Sequence, residues 1–196
     1  MAERKPNQPV PAVKEQQGFY DVPERYEIID GVRDDFPSSP KITHQAIVGQ
    51  LYSFLKLSCS ANGVILIAPM DVHLSEDNIV QPDLIYITND NMNIIRNEKI
   101  MGAPDLLVEI LSPSTGSRDK VKKKELYARY GIPEYWIVDP VHQTVDQFLL
   151  TEGRTEYTLA ATYDDQGLLL SDRFPCMAVK LDELFGELAR FKQSDE

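Results

Sequence analysis

The sequence is poor in the residues that staple small domains together. Its 196 residues include two cysteines, three histidines and one tryptophan. Cys59 and Cys176 have neither a metal-type nor a redox-type spacing, which excludes a disulfide scaffold and a thiolate metal centre. They read as two reduced thiols in or near the core, with a single disulfide as the alternative. Long apolar runs are also missing. Residues 64–68 and 135–138 are strand-sized, far short of the roughly 20 needed to cross a bilayer. The opening stretch, MAERKPNQPVPAVKEQQG, has no apolar segment and reads as a disordered polar tail rather than a signal peptide. A cytoplasmic location is the expectation. Basic charge is scarce too: 20 Lys and Arg face 31 Asp and Glu, a net charge of −11. That excludes a general nucleic-acid coat, which needs a positive surface. An acidic enzyme with a local basic strip stays open, and Arg118-Asp119-Lys120-Val121-Lys122-Lys123-Lys124 is such a strip.

What is present suffices for one ordinary globular core, since 42% of the residues are hydrophobic. The expected organisation is a disordered tail over 1–18, a single domain over 19–190 and a loose tail over 191–196. A strand over 25–31 ends in the Asp30-Gly31 turn. Apolar residues at helical spacing predict a helix over 43–57, capped by Thr43 and ended by Asn62-Gly63. Strands follow over 64–68, 70–74, 82–88 and 106–111, with a polar loop that holds a helical turn over 89–102. A helix over 117–130 stops at Gly131, and Pro133 prevents its restart. A strand over 135–139 precedes an antiparallel meander over 144–150, 156–162 and 168–170, and a helix over 181–190 closes the chain. The fold class is α/β: a central mixed sheet flanked by helices, with a C-terminal antiparallel meander.

Two acids interrupt strands that are otherwise apolar. Asp83 opens PDLIYIT and Glu109 lies inside LLVEIL. A buried carboxylate needs a partner, and one divalent cation would satisfy two at once. Oxygen ligands suit Mg²⁺ or Mn²⁺, whereas zinc would call for His or Cys. The alternative is that each acid pairs with an Arg or Lys or sits in water at a strand end. On the following helix Asp119, Lys123 and Tyr127 recur every four residues and share a face. A lysine in so basic a helix reads equally well as solvated surface, as Lys120, Lys122 and Lys124 do. Trp136 reads as a core anchor; His73 and His142 show no ligand pattern.

The series YEIIDG, HQAIVGQL, VQPDLIYI, GAPDLLVEILSPST and RDKVKKKELYARYGIPEYWIVDP resembles the Uma-type endonuclease family. That family lies within the PD-(D/E)XK, or restriction-endonuclease-like, superfamily. The likeness runs from about residue 20 to residue 185, and PDLLVEILSPST and EYWIVDP are its most specific parts. It implies a restriction-endonuclease-like core and hydrolysis of phosphodiester bonds in nucleic acid, DNA before RNA, with Mg²⁺ or Mn²⁺. Asp83 and Glu109 take the metal-binding places, and the Ile110 carbonyl is a further ligand. The superfamily lysine normally stands two residues after the second acid, where this chain has Leu111. The resemblance moves that role to Lys123. It also suggests Glu27 as a third carboxylate, against a surface acid beside Arg25 or Arg33. His44 would approach metal or phosphate, against a capping or core-edge role. Asp119 would orient Lys123, or only favour the positive end of its helix. Arg118 and Lys120 would grip phosphates, and a homodimer would let two sites cut both strands. A catalytically silent binding module with the same fold is the alternative, favoured by Leu111 and the net charge.

Overall fold

Alternating apolar residues and tight turns divide the chain into short strands, and a computed structural model shows how they assemble. It describes residues 26–35, 40–112 and 118–191, with the side chains of residues 118–120 outside that description. The expected tails over 1–18 and 191–196 therefore lie outside the described residues, Phe191 excepted.

The central sheet has the strand order β12-β11-β10-β9-β6-β3. Its members are β3 (Gly63–Ile67), β6 (Leu84–Thr88), β9 (Leu106–Ile110), β10 (Glu134–Asp139), β11 (Thr144–Leu149) and β12 (Thr158–Tyr163). The β9–β10 pair is parallel and the other pairs are antiparallel, so the sheet is mixed. Its central strands are apolar on both faces because both are covered. On one face α1 (Ile42–Cys59) and α3 (Leu181–Gly186) pack with Tyr86, Val108, Ile110 and Trp136. The other face carries Ile85, Leu107 and Tyr135 against Leu126 and Tyr127 of α2 (Lys124–Arg129).

A second sheet, ordered β2-β1-β5-β4-β8-β7, lies on this second side. Its strands are β1 (Tyr26–Ile29), β2 (Val32–Asp35), β4 (Val72–Ser75), β5 (Asn78–Val80), β7 (Ile95–Arg96) and β8 (Lys99–Met101). Asp30 and Gly31, at φ 51° and 74°, make the β1–β2 hairpin, because a two-residue turn of this hand needs both residues left-handed. Strands β13 (Leu168–Leu170) and β14 (Ala178–Lys180) pair only with each other.

Several expectations need correction. Residues 168–170 do not extend the meander, which ends at β12; they form the separate small sheet. The first long helix is not capped by Thr43, because Lys41 stands at its N-cap without a side-chain hydrogen bond. Gly63 is not a left-handed terminator. It starts β3, where a Cβ would overlap the Ile87 carbonyl oxygen. Cys59 and Cys176 are joined, with Cα atoms 5.2 Å apart, and are not reduced thiols. That bridge ties the end of α1 to the loop between β13 and β14. The polar stretch over 89–102 holds the expected helical turn, as a 3-10 helix, but adds the β7–β8 hairpin. Among the described residues, no helix is long and apolar enough to cross a membrane.

Candidate active site

The antiparallel register of β6 and β9 places Leu84 opposite Val108. Carried one residue further, the same register sets Asp83 opposite Glu109. Two acids distant in sequence thus stand on neighbouring strands at the same end of the pair. Alternation along β9 puts Glu109 on the side of Leu107, which is the side where α2 packs.

Each acid is held by named donors. The Ile110 amide donates to Asp83 Oδ2 at 2.7 Å, and His44 Nε2 lies 3.1 Å from the same oxygen. With Asp83 ionised, Nε2 is the donor, so His44 on the first turn of α1 fixes the carboxylate from the side opposite α2. Glu109 is 3% exposed. Its Oε1 accepts from the Tyr127 hydroxyl at 2.7 Å and from Lys123 Nζ at 2.9 Å. Burial, and then the charges of Glu109 and Glu27, push the Tyr127 phenol well above its ordinary value. Tyr127 is therefore a protonated donor throughout the neutral range.

Lys123 is buried, and its ammonium also lies 2.8 Å from Glu27 Oε1. Glu27, on β1, is itself fully buried and accepts the Gln81 backbone N–H at 2.8 Å. It is not a surface acid beside Arg33, whose guanidinium pairs with Asp35. Lys123 ends a π-helical stretch, Arg118–Lys123, that runs directly into α2. Wider π turns shift the side chains around them and recur at functional sites.

Of the five residues singled out from the sequence, the structure pairs Asp83 with His44 and brings Glu109 and Glu27 together on the Lys123 ammonium. The Asp119, Arg118 and Lys120 side chains lie outside the described residues, as do residues 113–117 before them. Tyr127 was passed over as a site residue, and Gln81, which could touch substrate, was not separable from a polar strand-end residue. Tyr127 shares the Lys123 face at four-residue spacing, which was the available signal, but an aromatic at that spacing also marks ordinary core. Gln81 had no signal beyond its place before Pro82.

The donor set suits a hard divalent cation. Two carboxylates, with the Ile110 carbonyl and water, would supply oxygen ligands of the kind such ions prefer. Among the described residues no three His, Cys, Asp or Glu side chains converge as a metal cage. A site of two carboxylates and one carbonyl does not require three. Among the described residues, His44 Nδ1 and Gln81 Oε1 are buried with no hydrogen-bond partner. Buried polar atoms in native proteins are generally satisfied, so each has room to serve a polar ligand or water.

A family model described as "Putative restriction endonuclease", Uma2, matches residues 17–181. The chain belongs to the Uma2 family. No curated protein sequence matches it. Among solved structures it is similar to a crystal structure described as a "putative nuclease belonging to DUF820", from Anabaena variabilis ATCC 29413. The TM-score is 0.70 at 22% identity, over 85% of this chain and 94% of that one. At that identity the likeness establishes the shared fold. The Uma2 match covers the strand-end acids, His44 and the lysine, so the whole cluster lies inside the family's own span.

Proposed function

We propose that this Uma2 protein is a divalent-cation-dependent endonuclease that hydrolyses phosphodiester bonds in DNA. The observation that carries the reading is the opposition of Asp83 and Glu109 at one strand end, with the Lys123 ammonium bonded to Glu109. Asp83, Glu109 and the Ile110 carbonyl would hold Mg²⁺ or Mn²⁺. When bound, such a cation supplies a more acidic water and offsets charge growing on the phosphate.

The chain's own residues do the rest. The Ile110 amide and His44 keep Asp83 aimed at the site. Tyr127 fixes the Glu109 oxygen from behind, so the carboxylate does not have to be reoriented at each turnover. Lys123 places a fixed positive charge where an attacking water and a non-bridging phosphate oxygen would lie. His44 Nδ1 and Gln81 Oε1 offer hydrogen-bonding positions to substrate or water. Arg118 and Lys120 would neutralise neighbouring phosphates, a local compensation for an acidic chain. A homodimer would bring two such sites to the two strands of a duplex.

A plasmid-nicking assay in Mg²⁺ and in Mn²⁺ tests this. Asp83→Ala and Glu109→Ala should each lose about a hundredfold or more in rate, and Lys123→Ala about as much. Full activity in Asp83→Ala would end the proposal. Loss in the acids with an unchanged Lys123→Ala would keep the enzyme and remove the lysine from it. A second reading, a silent binding module, draws support from the net charge of −11 and from Leu111 in the usual lysine place. It predicts Mn²⁺ binding that is indifferent to Asp83→Ala, measured calorimetrically.

A further inference from the structure

The Lys123 ammonium is shared between two carboxylates that arrive from different sheets. Glu109 comes from the central sheet, on β9, and is the acid expected to engage a cation. Glu27 comes from the second sheet, on β1, and is tied down independently. Its Oε1 accepts both Lys123 Nζ and the Gln81 amide at 2.8 Å. A backbone amide is a fixed donor, so Glu27 is held by the chain itself and not only by the lysine. It is also fully buried, which makes departure into solvent costly.

These contacts create a conflict that Glu27 resolves. Glu109 Oε1 already accepts Lys123 and Tyr127. A divalent cation on Glu109 would weaken its hold on the ammonium and repel that ammonium directly. Were Glu109 the partner that kept Lys123 in place, loading the site would drive the lysine out as it was needed. From this arrangement we infer that Glu27 is a positioning residue, not a cation ligand: it retains Lys123 in the site when Glu109 is engaged. The second sheet then has a task in the site, which is to bring β1 and its acid to the far side of the lysine. The inference rests on the nuclease reading above for the cation, and on the two carboxylate contacts of the lysine.

A double-mutant cycle on the full chain tests it, read as Mn²⁺ affinity by calorimetry with Asp83→Ala as the control. Asp83→Ala should abolish binding. Glu27→Gln should weaken Mn²⁺ binding by about threefold or more, because the lysine falls back onto Glu109. In a Lys123→Met background the same Glu27→Gln change should have no effect. An equal loss in both backgrounds would make Glu27 a ligand and overturn the inference while leaving the nuclease site intact. Wild type that binds no Mn²⁺, or binds it regardless of Asp83→Ala, would overturn the site reading and this inference with it.

Lys123→Met leaves two buried acids without their ammonium, a cost that falls on folding as well as on the site. A second measurement avoids it. In wild type the ¹⁵N-detected Lys123 ammonium signal, visible because the group is sheltered, should persist at saturating Mg²⁺. In Glu27→Gln it should broaden away on Mg²⁺ addition. A signal that survives Mg²⁺ equally well in Glu27→Gln would overturn the role assigned to Glu27.

Discussion

Gly63 shows how closely single atoms are fitted here. A Cβ at this position would meet the Ile87 carbonyl oxygen and stand 2.9 Å from the Tyr86 ring. Gly63→Ala should therefore cost about 1–3 kcal/mol, because backbone on the neighbouring strand has to move. A urea midpoint equal to that of wild type would contradict it. Other single residues differ in how openly the sequence displays them. Asp83 and Glu109 stand out because acids inside apolar strands demand a reason. Glu27 does not, since YEII is amphipathic and a hairpin acid reads as surface until Lys123 and the Gln81 amide are seen to hold it. Tyr127 was hidden by its own chemistry. The ring fits a core while the hydroxyl serves Glu109, and only coordinates separate those two jobs.

At the scale of elements, legibility followed length and apolar content. β9 and β10 were readable because their residues are buried on both faces. The strands β2, β5, β7, β8 and β14 are two to four residues long and bear no apolar periodicity of their own. Their pairing is decided by turns, such as Asn97 and Glu98 at φ 50° and 61°, where no sequence period applies. The π-helical start of the 118–123 stretch was likewise invisible, since a π turn shares its composition with an α turn. One link between elements is directly testable. The Cys59–Cys176 bridge closes a sequence separation of 117 residues and pins α1 to the small sheet. Its loss in the Cys59→Ser, Cys176→Ser variant should lower stability by about 2–4 kcal/mol. Peptide mapping without reductant should recover the two segments as one linked species. Recovery of two free thiols from protein kept under air would refute the bridge.

For the molecule as a whole, buried phenols govern the alkaline limit. Burial, then Glu109 and Glu27, raise Tyr127; burial, then Glu134, raise Tyr157. Each keeps its proton in the folded chain to a higher pH than in the unfolded one. Their contribution is complete below about pH 10 and is lost as pH climbs through the raised folded values. Urea midpoints should hold level from pH 8 to about 10 and then decline, and Tyr127→Phe should flatten that decline. A level wild-type profile through pH 11 would contradict the burial argument. The architecture carries one more consequence. On the proposed assignment the second acid lies on β9 and the lysine on the stretch that enters α2, while Leu111 stays half-buried against the neighbouring apolar cluster. A pattern search that demands acid and lysine two positions apart would overlook such chains. Recognising their kin calls for two short signatures joined by a spacer of unspecified length.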